Sequence, residues 1–498
     1  MTMRPTLLAG ASLLLAGACA IGPSTRVTPP PAVGPRPGDS LTTPMPRRFL
    51  DSLATARDQD RGDTASAALW KPRPLVLDSA SDRPWLEVLR DSQLVALVET
   101  ALRNNKDLQV AEARVREYRA LAGAARGDLF PQLSGNFTAS ENEAVFGAFG
   151  AQSFNVVRLT GDLAWELDFW GRLRRQAEAG TFDRQGREEE ERAAVVTLVS
   201  DVATAYLQLR ELDQELAISE RTLESRRASL DLARRRFAQG VISELDVRQF
   251  EAQAAEPAAR VAEFAQQRAI REHQLSVLLG RSPGPVPRGN PLEATVQAVA
   301  VPDSIPADLL LRRPDVRQAE RDFQAATARV GLAIGNRLPK VMLTGSYGRQ
   351  SQAFHDLFGS SPDIYLAQAG ISLPLFTGGK LLDQQRAARA RADQARGRYE
   401  QAVLRALQEA DDALAGLRLS RDQLVALETQ ERALARAFAL ANERYQSGVS
   451  SYLEVLDAQR SLFTAQLALA GQTRQYLGAT VQLYKALGGG WAGVAGGR

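Results

Sequence analysis

The sequence is poorest in the side chains that most site chemistry needs. Its 498 residues hold one Cys, two His (His273 and His355), four Met and 6% aromatics. A single Cys excludes an internal disulfide, and with two distant His it excludes a four-ligand Cys/His zinc site. No Cys–His nucleophile pair is suggested, so metalloenzyme, redox and hydrolase chemistry fall away and no cofactor beyond a covalent lipid is expected. An excess of charge is missing too: 61 Lys+Arg face 58 Asp+Glu, which argues against a nucleic-acid partner. Past residue 18 there is no uncharged apolar run of the roughly 18 residues that a transmembrane helix needs. The best attempt, starting at Ala193, stops at Asp201. What is abundant is Ala, which suits helices packed close together. Length alone would suggest about three domains.

The lone Cys sits at an informative place. Arg4, the apolar stretch from Leu7 to Leu15, and Ala16-Gly17-Ala18 precede Cys19, the layout of a secretory signal peptide over residues 1–18. Small residues directly before a Cys also resemble a bacterial lipobox, which would make Cys19 an acylated first residue. Ala16 stands where Leu is usual, and an ordinary signal ending near a Cys is the other reading. Ala20, rather than Asp, follows the Cys and by the usual sorting convention points to the outer membrane. Residues 19–80, with Pro29-Pro30-Pro31, Pro35 and Pro37, read as a lipidated N-terminus and extended tether.

The rest of the chain is a repeat. Residues 100–280 match 308–488 at a constant offset of 208: Leu102 with Leu310, Asp107 with Asp315, Pro131 with Pro339, Gly171 with Gly379, Gly240 with Gly448, Leu279-Gly280 with Leu487-Gly488. Pro and Gly punctuation that keeps register without a gap marks a duplicated unit, here residues 81–291 and 292–491, with 492–498 as a flexible C-terminus. Each copy switches from helical to period-two patterning after its Pro, predicting β-hairpins at about 131–169 and about 339–376. Leu133, Gly135, Phe137 and Ala139 oppose Gln132, Ser134, Asn136 and Thr138, and Val157 through Phe169 alternate likewise. In the second copy Val341, Leu343 and Tyr347 lead to a returning strand with Tyr365, Ala367, Ala369, Ile371, Leu373 and Leu375 on one face. Such strands are long enough to cross a bilayer at a tilt. A soluble hairpin is the bland alternative, but no further strands exist to pair with. Four strands cannot close a barrel, so several chains would have to build one.

Between Gly171 and Gly240 no Pro occurs, so a helix could run roughly 100 Å at about 1.5 Å per residue. Leu198, Val202, Leu209, Leu212, Leu216, Leu223 and Leu230 form a coiled-coil seam interrupted at Ser219 and Arg226. Gly180 and Gly186 are expected to mark a bend. Gly240 and Gly448 end the long runs, and Ser243 or Ser451 would N-cap a returning helix. The fold class is therefore an α+β membrane protein: a duplicated unit of long coiled-coil helices with two β-hairpins.

At this point the residues resemble the TolC-like outer-membrane efflux proteins, and among them the lipoprotein branch serving resistance-nodulation-division pumps. The resemblance rests on Leu102-Arg103-Asn104-Asn105-Lys106-Asp107-Leu108, Trp165–Arg172, Asp308–Arg317, Arg444–Gly448 with Tyr452–Arg460, and Leu483–Trp491, and covers about residues 80–491. It implies a homotrimer with a 12-strand barrel, a 12-helix periplasmic tunnel and a belt formed by short helices around 86–105 and 292–313 with the C-terminal segment. It also implies a periplasmic adaptor docking at the turns containing Gly240, Gly448 and Arg444, an inner-membrane pump, and a passive duct for small toxic compounds rather than an enzyme. Carried over residue by residue, Tyr445 matches a gate tyrosine, and Glu454 and Asp457 match carboxylates lining the entrance; Asp246 is the repeat partner of Glu454. On a threefold axis such carboxylates become rings whose crowding raises their pKa; the alternatives are solvated helix-face acids and, for Tyr445, an apolar contact at the turn. A basic latch residue of some relatives is here Ser450, so a closing salt bridge is either made by Arg444 or absent. Phe146, Phe149 and Phe154 flank a hairpin loop, either sealing the mouth or anchoring at the lipid interface. A type I secretion duct, a heavy-metal duct (disfavoured by four Met) and a poreless coiled-coil lipoprotein spacer are the rival readings.

Overall fold

The computed structural model describes residues 89, 91–145, 151–292, 310–359 and 361–489. Cys19, the tether, Phe146, Phe149, most of the helix expected at 292–313 and residues 492–498 lie outside the described residues. The elements in chain order are α1 (Ser92–Asn104), α2 (Lys106–Gly127), β1 (Gln132–Val145), β2 (Ala151–Leu167), α3 (Arg172–Ala238), α4 (Glu244–Leu278), α5 (Pro314–Gly335), β3 (Lys340–Ser351), β4 (Asp363–Ser372), α6 (Lys380–Gln446) and α7 (Tyr452–Ala486). They divide into two compact units. One joins Ala111–Glu191 to Asp315–Ala402, and the other joins the residues up to Val110 to Arg192–Pro314 and the chain from Val403 onward.

The first unit carries the sheet, antiparallel throughout in the order β1-β2-β3-β4. Its register places Phe137 opposite Leu159, Leu163 opposite Gly345, and Tyr347 between Gly161 and Tyr365. One face is thus apolar and open: Leu133, Tyr365 and Ile371 are 78%, 84% and 74% exposed. The other face is polar, with Arg158 donating to the Gln350 side chain at 2.7 Å and the Asn136 amide donating to the Asp162 carboxylate. The alternation expected from sequence is present, with a correction at the end of each returning strand. β2 ends at Leu167 and β4 at Ser372, so Phe169, Leu373 and Leu375 fall beyond the sheet; Pro374 has no N–H to extend a ladder. Between β3 and β4 a 3-10 turn, Phe354–Phe358, sets Phe354 edge-on to Phe137 with centroids 6.0 Å apart.

Gly180 and Gly186, where a bend is expected, lie inside α3, whose helical hydrogen bonding runs through both, and both sit in close packing. A Cβ on Gly180 would sit 3.4 Å from the Ala122 backbone, and one on Gly186 3.1 Å from the Asp322 carboxylate. Small residues here let neighbouring helices approach. At the start of α3, a two-pronged bond from Arg172 to Glu166 (2.8 and 2.7 Å) fastens the helix to the end of β2.

The second unit holds the larger core. Leu94, Val98 and Ala101 of α1 pack with Val199, Val202, Tyr206 and Leu209 of α3 and with Leu417, Leu477 and Val481 of α6 and α7. Each fully buried Leu or Val contributes about 1.5–3 kcal/mol. Asp91 caps α1, accepting from the Gln93 and Leu94 amides, and its second oxygen accepts from the Tyr206 hydroxyl at 2.8 Å. The Gly289 amide in turn donates to that hydroxyl at 2.8 Å. The duplication reaches individual bonds: the Asn105 amide donates to the Leu278 carbonyl at 2.9 Å, and one offset of 208 later Arg313 donates to the Ala486 carbonyl at 3.2 Å. Different side chains close the same joint. Among the described residues no helix is long and apolar enough to cross a membrane.

Candidate functional site

The second unit contains both turns at which the long helices reverse. α3 ends where Gly240 takes φ +72°, with the Gly240 and Val241 amides donating to the Phe237 and Arg236 carbonyls at 2.8 and 2.9 Å. The second turn repeats this: Gly448 also has φ +72°, and the Gly448 and Val449 amides donate to the Tyr445 and Arg444 carbonyls at 3.0 Å each. Both are left-handed glycine caps that satisfy the last helical carbonyls. Val241, Leu245, Val449 and Leu453 stand exposed around them.

After the turns the two copies diverge. Ser243 caps α4 in a full capping box: the Asp246 amide donates to its hydroxyl at 3.3 Å, and the Asp246 carboxylate accepts from the Ser243 amide at 2.9 Å. The Ser243 hydroxyl and amide together hold the Asp246 carboxyl below its usual pKa, a local pull opposite in sign to crowding on an axis. Ser451 occupies the cap of α7 without any side-chain cap bond. Glu454, the repeat partner of Asp246, instead reaches the Arg444 guanidinium at 3.8 Å. The acid thus sits on the cap in the first copy and turns to the end of α6 in the second. Asp457 pairs with Arg460 one turn along at 2.8 Å, both largely exposed.

Tyr445 lies at the centre of the contacts between the two helix pairs. Its hydroxyl accepts from Arg236, whose guanidinium carbon lies 5.6 Å from the ring centroid. Its ring meets Tyr452 edge-on at 4.9 Å, and Tyr452 stacks on Phe250 of α4 at 4.2 Å. Burial pushes the Tyr452 hydroxyl above its usual pKa. Below this, Leu230 and Ala233 pack against Val247, Phe250 and Ala254. Glu454 is therefore brought to Arg444, and Tyr445 to Arg236 and Tyr452, with Asp246 and Asp457 each occupied locally. Phe250 and Tyr452 escaped the sequence reading as site residues. Their repeat partners are Ala458 and Glu244, so the offset that exposed the other residues pointed away from these. Phe154 stands on β2 opposite Asn142 and is partly exposed.

Comparison with known proteins adds context to this geometry. The family profile described as "Outer membrane efflux protein" matches twice, over residues 97–281 and 305–489. The chain is 37% identical over 412 residues to the solvent efflux pump outer membrane protein SrpC of Pseudomonas putida, covering 82% of this chain and 87% of that one. It is 32% identical over 421 residues to the cation efflux system protein CusC of Escherichia coli, covering 83% and 90%. The open-state MtrE outer membrane channel of Neisseria gonorrhoeae superposes with a TM-score of 0.74 at 30% identity, over 80% of this chain and 90% of that one.

Proposed function

Because this chain belongs to the outer membrane efflux protein family, we propose that it is the outer-membrane channel component of a tripartite efflux system, a passive duct and not an enzyme. The observation that carries this is the sheet: four strands with one apolar face turned outward and with β1 and β4 each paired on one side only. Such edges cannot stay open in lipid. Three copies closing edge to edge make twelve strands, within the range of bacterial barrels. A poreless spacer has no use for such a face.

In this homotrimer the turns at Gly240 and Gly448 receive the helical hairpins of a periplasmic adaptor, which links the duct to an inner-membrane resistance-nodulation-division pump. Tyr445, Glu454 and Asp457 gate the entrance, with Arg444 answering Glu454. Asp246 serves first as the capping acid of α4. An acyl group on Cys19 anchors the protomer in the outer membrane beside the barrel. Relatives named for solvents and cations indicate toxic small molecules as cargo. With four Met in the chain, soft metal ions are the less favoured class.

Purified protein in a planar bilayer is expected to give discrete conductance steps, and native mass to give a trimer. A monomer without conductance would overturn the reading.

A further inference from the structure

Arg226 and Pro257 are two irregularities of the first helix pair that answer each other. Pro257 lies inside α4 and has no N–H, so the carbonyl of Gln253 one turn earlier loses its helical donor. Arg226 of α3, only 2% exposed, donates Nη1–H to that carbonyl at 2.7 Å and to the Glu256 carboxylate at 2.9 Å. Its guanidinium carbon lies 5.5 Å from the ring centroid of Phe463 on α7, and the neighbouring Ser225 hydroxyl accepts from the Gln459 amide at 3.3 Å. The second repeat carries neither irregularity. At the offset of 208 it has Leu434 in place of Arg226 and Ala465 in place of Pro257, the ordinary residues for a seam and a helix interior. The charge in the seam and the break in the helix therefore occur together in one copy and are absent together from the other.

We propose that Arg226 stands in for the backbone donor that Pro257 removes, which makes residues 244–256 of α4 a segment hinged at Pro257 and latched at that hinge by Arg226, in addition to the segment's packing on Leu230 and Ala233. The ladder of backbone bonds that stiffens a helix is interrupted at Pro257, so bending there breaks fewer bonds than elsewhere. The segment's free end carries the Ser243–Asp246 capping box, and its middle carries Phe250, stacked on Tyr452 beside Tyr445. Releasing Arg226 frees the element against which the tyrosine pair rests. The first helix pair has this hinge and the second has none, so the two pairs differ in how they can move. The inference goes beyond the duct reading, and its test does not depend on conduction.

Hydrogen exchange on the full-length protein in detergent supplies the test, with a double-mutant cycle that rebuilds the second repeat's residues. Arg226→Leu alone orphans the Gln253 carbonyl and is expected to speed exchange of the amides of residues 244–256 about tenfold. Pro257→Ala alone restores the helical donor and slows it. The double variant R226L/P257A, with an ordinary helix beneath an ordinary seam, is expected to exchange within about threefold of the native protein. If the double variant exchanges as fast as R226L, Arg226 does not act through the gap left by Pro257 and the proposal is overturned.

Discussion

The guanidinium of Arg236 donates to the hydroxyl of Tyr445 and lies over its ring at 5.6 Å from the centroid. Arg236 closes the first long helix and Tyr445 closes the second, one residue past the repeat partner of Arg236, Arg444. This pair of side chains, with the Phe250–Tyr452 stack, ties the two reversing turns together. The hydrogen bond is worth about 1 kcal/mol and the ring contact about 0.5–1 kcal/mol. Removing either partner loosens the turns without unfolding the core. Tyr445→Phe combined with Asp457→Ala is expected to raise single-channel conductance in planar bilayers, and Arg236→Ala to raise it as well. Adding Tyr445→Phe to Arg236→Ala is expected to bring little more, because the two share one contact. Conductance unchanged in all these variants would remove the gate from this place.

How far the sequence reached depended on what kind of constraint a residue obeys. Gly240 and Gly448 were legible because a left-handed cap requires glycine wherever it occurs, and the constant offset marked both. Strand alternation was legible because a half-exposed sheet imposes a period of two. The close packing at Gly180 and Gly186 was not legible, because it depends on which helix lies alongside, and sequence does not say that Ala122 and Asp322 do. Asn105 and Arg313 perform one task with different chemistry, so self-comparison could not pair them. Asp246 and Glu454 do pair by offset, yet one takes a cap and the other faces Arg444, so an equivalent position does not fix the contact its side chain makes.

Glycines at two places should fail for opposite reasons. At Gly240 a Cβ meets nothing within 4 Å, but φ is +72°, so Gly240→Ala costs only backbone strain, about 1–2 kcal/mol. At Gly289 a Cβ would stand 2.1 Å from the Asp91 carboxylate, inside the buried knot of Asp91 and Tyr206. Gly289→Ala must push that carboxylate off the α1 cap, and a lost cap alone costs about 0.5–2 kcal/mol before the strain is counted. Thermal unfolding should therefore show a clearly larger drop for Gly289→Ala than for Gly240→Ala. Equal drops would mean that the Asp91 cap is not the constraint.

Cys19 bears on location rather than folding. If it is acylated, Cys19→Ser should abolish incorporation of labelled palmitate and leave the conductance of purified protein unchanged, because the barrel strands lie elsewhere in the chain. Acyl chains on Cys19 add anchoring, and the barrel itself holds the membrane once formed. The loss should therefore appear mainly as slower or less complete arrival at the outer membrane, measured by fractionation. Palmitate incorporation undiminished in the variant would place the modification elsewhere.

Glu215 introduces a pH dependence in the helical unit. Burial first, and then the charge of Glu211 one turn before it, push its carboxyl up to about 7; Arg474 and Arg260 pull the other way and Glu263 adds to the push. Burial also raises Glu211, which Arg474 contacts at 2.8 Å. A carboxyl raised in the folded state binds a proton there that the unfolded chain has already lost. Its contribution is therefore fully present below the unfolded value near 4.5 and is lost as pH rises towards about 7. Above that, folding keeps a partly buried charge that Gln would not carry. Glu215→Gln should flatten the decline of Tm between about pH 5 and pH 8, with the largest gain over the native protein at the alkaline end. A Tm profile parallel to the native one across that window would show that Glu215 is ionised throughout and that Arg474, rather than burial, governs it.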